Sequence, residues 1–160
     1  GEKLCTTWAK CFGIKAIVLR YFNVYGPRED ITSNYSPIIG LFFKQKLKEK
    51  TPLTIVGSGE QRRDLTHVYD VVSANLKAIQ KCDEFSGNTY NVGCGENFSI
   101  NEIAKLVGGP SVYIQERPGE ARQTLADIED TIQDLDWKPN VKFLDGVEMM
   151  REHYTKMYSK

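Results

Sequence analysis

The segment Ala16-Ile17-Val18-Leu19-Arg20-Tyr21-Phe22-Asn23-Val24-Tyr25-Gly26-Pro27-Arg28 constrains this chain more than any other. Ile17, Val18 and Leu19 form the unbroken apolar run of a strand covered on both faces. Gly26-Pro27 then stops it. In open parallel sheets, ligands bind just past the carboxyl ends of the strands. Tyr21, Phe22 and Asn23 fall at that place, with Arg20 and Arg28 beside them. Two aromatics, an amide and two guanidinium groups can stack a planar ring and hydrogen-bond a polar ligand. The same aromatics also suit packing at the edge of a core, and residue chemistry alone leaves both readings open.

At 160 residues the chain is one domain or a large part of one. Its formal net charge of zero gives no support for a nucleic-acid or anionic-membrane partner. No apolar run approaches the ~18 residues of a membrane span, and no signal peptide is expected at the start of the chain. Cys5, Cys11, Cys82 and Cys94 are scattered, and His67 and His153 add no metal-ligand spacing. We expect reduced thiols, a cytoplasmic setting and no metal site.

Hydrophobic periodicity predicts a helix over 2–12, with Leu4, Trp8, Cys11 and Phe12 on one face and Gly13 as its stop. A strand over 15–20 follows. Pro27 to Ser36 is polar and turn-rich, as in a mobile ligand loop. A helix over 37–48 is expected next, with Asn34 or Ser36 as its cap. Residues 52–56 read as a short strand and Gly57-Ser58-Gly59 as a turn. The helix over 69–80 should turn Val71, Val72, Leu76 and Ile79 inward. Residues 89–92 and 112–114 are short strands, and Ser99 with Glu102 forms a capping box. A helix over 127–135 capped by Asp127, and another over 144–157, complete the chain. Arg63, next to Asp64, carries a fork that matches phosphate oxygens, although an ordinary surface ion pair would look the same.

Several of these stretches resemble one family in its own order. The run LRYFNVYGPR is similar to the segment after the catalytic helix of extended short-chain dehydrogenase/reductases acting on nucleotide sugars, with UDP-glucose 4-epimerase as the nearest type. Asn34-Tyr35-Ser36-Pro37 resembles its Asn-x-x-Pro, and residues 57–68 its G-x-G-x-Q-x-R-D-x-x-x-V run. Tyr90-Asn91-Val92-Gly93-Cys94-Gly95, the stretch from Arg117 to Asp127, and Asp136-Trp137-Lys138-Pro139 complete the likeness, the last resembling the family's L-G-W-x-P with Asp136 in the glycine's place, which implies a left-handed residue there. The resemblance implies an α/β fold: the last strands of a Rossmann-type parallel sheet plus a smaller C-terminal α/β substrate-binding domain. It places residues 1–28 in the former and 29–160 mainly in the latter, with later segments returning to the sheet.

The resemblance also implies the chemistry. Tyr21 and Phe22 would touch an NAD cofactor. Asn23, Asn34, Thr54, Val56, Arg63, Arg117, Glu120 and Thr124 would line a nucleotide-sugar site, with either a UDP- or a dTDP-sugar as ligand. The arginines would take phosphate, and Glu120 the ribose hydroxyls. Thr124 replaces an aromatic of enzymes restricted to the smaller sugar, and so leaves room for a 2-acetamido sugar. The family's Tyr-x-x-x-Lys pair and Gly-rich NAD turn have no counterpart here, so no catalytic residue is expected. On this resemblance the chain opens just after the catalytic lysine and would need an N-terminal half, or a homodimer partner, to work. Two functions follow: the nucleotide-sugar-binding portion of an NAD-dependent epimerase, or a non-catalytic nucleotide-sugar-binding module. The same piece of a dehydratase or a UDP-glucuronate decarboxylase would read alike.

Overall fold

A computed structural model describes residues 1–32 and 36–159. Helix α1 (Glu2–Phe12) ends at Gly13, whose φ of 67° is the left-handed geometry that glycine adopts without penalty. Of its residues only Ala9 is buried, and the periodic face of Leu4, Trp8 and Phe12 is exposed. Strand β1 (Val18–Tyr21) is shorter than the apolar run suggests. The reason lies upstream. The Ala16 N–H goes to the Ser86 hydroxyl and its carbonyl to Gly87, so strand pairing starts at Val18. Here β1 is half-buried at Val18 and Leu19 and exposed at Arg20 and Tyr21, not covered on both faces.

The remaining elements follow in order. They are β2 (Val24–Tyr25), α2 (Ile38–Phe43), β3 (Leu53–Val56), β4 (Arg62–Arg63), β5 (Thr66–His67) and α3 (Val68–Lys81). Then come β6 (Thr89–Val92), β7 (Phe98–Ser99), α4 (Ile100–Val107), β8 (Ser111–Ile114), α5 (Glu129–Leu135) and α6 (Phe143–Tyr158). Three strand pairs are parallel: β1 with β6, β2 with β5, and β3 with β8. Among the described residues, β4 with β7 is the one antiparallel pair of strands. Each parallel pair is joined by a long crossover carrying a helix, which makes the chain an α/β fold. Among the described residues no helix is long and apolar enough to cross a membrane.

Two cores form. The larger gathers Tyr25, Ile39, Phe42, Phe43, Leu53 and Ile55 with the inner faces of α4 and α6. The smaller packs Val71, Ala74 and Ala78 of α3 against Tyr90, Val92, Leu135 and Trp137. This corrects the expected inward face of α3. Val71 is buried, but Val72, Leu76 and Ile79 are 52%, 57% and 72% exposed. Val71, Ala74 and Ala78 form the face of α3 that packs on this core, which leaves the larger apolar residues on the opposite side of the helix.

Capping chemistry is uneven. Ser99 and Glu102 make the reciprocal capping box that starts α4. Helix α2 has Pro37 at the N-cap position expected of Asn34 or Ser36, and Asn34 lies outside the described residues. Asp127 sits one residue before the α5 cap, Ile128, yet its carboxylate still accepts from Glu129 N. Asp136 adopts φ 50°, the left-handed stop expected there. Asp70, 2% exposed, accepts from the N–H groups of Asn140 and Val141 and so ties α3 to the chain leading into α6.

Candidate functional site

A cavity of about 670 Å³ opens between β2, α2, β3 and the loop after β8. Its floor is apolar: Val24, Ile38, Leu41, Val56, Leu65 and Ile100. Polar groups converge from separate elements: Asn23 after β1, Thr54 on β3, Arg63 on β4, and Arg117 and Glu120 on the loop after β8. An apolar cleft with a few convergent polar groups is the usual form of a small-molecule site. Six of the ten residues expected at a cofactor or substrate site therefore share one wall-to-wall space: Asn23, Thr54, Val56, Arg63, Arg117 and Glu120.

Arg63 is held in place before any ligand arrives. One terminal nitrogen donates to the carbonyls of Arg62 (3.0 Å) and Ala121 (2.7 Å), and the other to Glu120 Oε1 at 3.1 Å. The side chain is 14% exposed, so this is no loose surface pair. Asp64 is not its partner. That carboxylate is fully buried and accepts from the N–H groups of Cys94 (2.7 Å), Gly95 (3.1 Å) and Ala126 (3.0 Å). It joins β4 to the loop after β6 and to the loop before α5. Arg117 reaches the same cavity from a sequence position far from Arg63, which brings two cations to one space. Glu120 is engaged with Arg63, and that leaves its second oxygen to accept from hydroxyls.

The other expected residues lie elsewhere. Thr124 stands behind Asn23 and not on the cavity wall: its hydroxyl accepts from Asn23 Nδ2 (3.1 Å) and from Asp64 N (3.2 Å). Tyr21 and Phe22 do not line the cavity. They sit at the carboxyl end of the β1–β6 pair, where Tyr21 donates to Asn75 Oδ1 and Phe22 N–H to Val92 O. Asn34 falls outside the described residues, although Ser36 and Pro37 beside it line the cavity.

Sequence reasoning missed Gln45 and Gln61. Helix α2 runs on as a π-helical stretch, Lys44–Glu49, which turns Gln45 inward to 8% exposure. Its amide bonds Thr54 twice, through the hydroxyl and the backbone N–H, both at 3.0 Å. A π-turn in a helix recurs at functional sites, but a lysine-rich string carries no mark of one. Gln61 donates to Val56 O and closes the cavity rim. His67 is 1% exposed, and its Nδ1 caps α3 through Tyr69 N.

Beneath the cavity, Glu29 accepts a 2.9 Å hydrogen bond from the Tyr154 hydroxyl, while its Oε2 is buried without a partner among the described residues. A side chain at Gly40 would collide with this pair, so α2 packs directly onto it. Burial pushes the Glu29 carboxyl up to about 7, against the lowering pull of the Tyr154 and Gly26 hydrogen bonds. Above its ordinary value of 4.5, the unfolded chain has released a proton that the folded chain keeps. Stability therefore falls as pH rises through the window from 4.5 to about 7. Glu29→Gln, which keeps an acceptor for Tyr154, should raise stability at pH 8 by roughly 1–3 kcal/mol and change it little at pH 4.5. Urea melts at the two pH values check this, and an equal effect at both would remove the carboxyl as the cause.

Residues 1–93 match the model of the NAD dependent epimerase/dehydratase family. Over 164 residues the chain is 33% identical to the uncharacterized UDP-glucose epimerase YtcB of Bacillus subtilis, covering 99% of this chain and 50% of that protein. The UDP-glucose 4-epimerase of Thermotoga maritima, solved with UDP-glucose, superposes with a TM-score of 0.90 at 31% identity, over 98% of this chain and 51% of that one. The UDP-glucuronic acid 4-epimerase of Bacillus cereus, solved with UDP-glucuronic acid and NAD, gives a TM-score of 0.87 at 32% identity, over 98% and 50%. The chain spans about half the length of the relatives it matches. The expected Rossmann-type α/β class is borne out by these structural neighbours. With the family model covering more than half of its residues, this chain belongs to the NAD-dependent epimerase/dehydratase family.

Proposed function

We propose that this chain is the nucleotide-sugar-binding portion of an NAD-dependent UDP-sugar epimerase. The observation that carries the reading is the convergence of Arg63, Arg117, Glu120 and Asn23 on one cavity walled by this chain. In it, the diphosphate lies against the two guanidinium groups, whose forks suit phosphate oxygens. Glu120 accepts from the ribose hydroxyls while holding Arg63. Thr54 and Val56 form the wall along the nucleoside, and the hexose points toward Asn23. The ligands bound in the two solved relatives, UDP-glucose and UDP-glucuronic acid, favour uridine as the base.

On this reading residues 1–28 belong to the NAD-binding unit and 29–160 mainly to the substrate unit, with β6 returning to pair with β1. NAD would supply hydride chemistry at the sugar when bound. The residues present fit only the edge of its site. Phe22 is half-buried and Tyr21 is 48% exposed at the carboxyl end of β1, where they offer ring surface. No glycine-rich turn opening a helix after a strand is available to cradle its pyrophosphate. This chain's own part is to bind and orient the nucleotide sugar.

A thermal-shift titration with UDP, UDP-glucose, UDP-N-acetylglucosamine, dTDP and NAD tests the proposal. We expect UDP and its sugars to raise Tm by several degrees at saturating concentration, and NAD alone to leave it unchanged. A shift with NAD and none with any UDP compound would overturn the assignment of the cavity.

A further inference from the structure

Asn23 is unusual in its backbone and fully committed in its amide hydrogens. Its φ of 25° lies in the positive region that few non-glycine residues enter. Its carbonyl accepts from Thr66 N, which locks the main chain. Its Nδ2 donates to Asp64 O at 2.8 Å and to Thr124 Oγ1 at 3.1 Å. An amide nitrogen has two hydrogens, and both are spent on the protein. The backbone carbonyl of Asp64 can only accept, so the orientation of the amide is fixed: nitrogen to the protein, Oδ1 away from it. Asn23 lines the cavity, and Oδ1 has no partner among the described residues.

Thr124 is itself pinned. Its N–H donates to Arg62 O, its carbonyl accepts from Asn97 Nδ2, and its hydroxyl oxygen accepts from Asp64 N and Asn23 together. We infer that Thr124 is a positioning residue. Its hydroxyl holds the Asn23 amide so that this end of the cavity presents a lone acceptor, which selects a hydrogen-bond donor such as a hexose hydroxyl and disfavours an anionic oxygen. The inference rests on the nucleotide-sugar reading. It gives the cavity polarity, with donors for the diphosphate at Arg63 and Arg117 and an acceptor for the sugar at Asn23.

The test uses the full chain and calorimetric titration with UDP and with UDP-glucose, so that the hexose contribution is the ratio of the two Kd values. Thr124→Val keeps the shape and removes the acceptor. We expect it to leave UDP binding within twofold and to cut the UDP-glucose advantage about tenfold. Thr124→Ser should keep that advantage. Asn23→Gly, which tolerates the positive φ, should lose the same increment, and the double variant should lose no more than either alone. A second readout needs no ligand: in an NMR spectrum, one Asn23 side-chain N–H should lose exchange protection in Thr124→Val and keep it in Thr124→Ser.

If Thr124→Val changes neither affinity, or weakens UDP and UDP-glucose equally, the positioning role is overturned. UDP binding with no gain from the hexose in the unsubstituted chain overturns the sugar contact but spares the diphosphate site. No UDP binding at all overturns the underlying reading, and this inference with it.

Discussion

Asp64→Ala is expected to destabilise the chain by about 3–5 kcal/mol, more than any other single polar substitution considered. The carboxylate is fully buried, and three backbone N–H groups from two other loops point at it. Alanine leaves all three donors without an acceptor in a space that a side chain at Gly93 would already fill. Asp64→Asn should do nearly as badly. Its NH₂ must face at least one of the same N–H groups, because the oxygens accept from Cys94 on one side and from Gly95 and Ala126 on the other. Urea unfolding of the two variants checks this, and a loss below about 1 kcal/mol for Asp64→Ala would mean that water satisfies the loops in its place. The consequence reaches the cavity, since the backbone of Asp64 also anchors Asn23 and Thr124.

Arg63→Ala is expected to weaken UDP-glucose binding by at least about 100-fold, the scale of losing a buried, charge-assisted, bidentate phosphate contact. The guanidinium is preorganised by two carbonyls and Glu120, so little side-chain freedom is lost when an anion arrives. Arg63→Lys should recover only part of the loss, because an ammonium cannot span both carbonyls and the ligand. Arg117, exposed and without an ion pair among the described residues, should matter less, by about tenfold, and its effect should fade as salt is raised. Calorimetric titration at two salt concentrations separates the cases. An Arg117→Ala defect larger than that of Arg63→Ala would place the diphosphate at the outer loop instead.

Local pattern determined a good deal of this chain. Leucine, tryptophan and glycine spacing marked α1 and its stop, and Ser99 and Glu102 marked the start of α4. These features depend on contacts within a turn or two, which residue order specifies directly. The motif around Arg63 and the one around Arg117 also stood out as chemistry in search of a site. Their convergence did not, because residues more than fifty positions apart meet only through strand pairing and loop anchoring.

The tertiary structure decided the rest. It turned Val72, Leu76 and Ile79 outward, since Val71, Ala74 and Ala78 form the face of α3 that packs on the smaller core. It made Gln45 part of the cavity through a π-turn that a lysine-rich string does not announce. It changed Asp64 from the neighbour of an arginine into the buried knot of three segments, and Thr124 from a gap beside the ligand into the support of Asn23. Periodicity records which way a side chain faces relative to its own element. Which backbone N–H groups or amides arrive at that side chain depends on how distant elements pack, and only the folded chain supplies that.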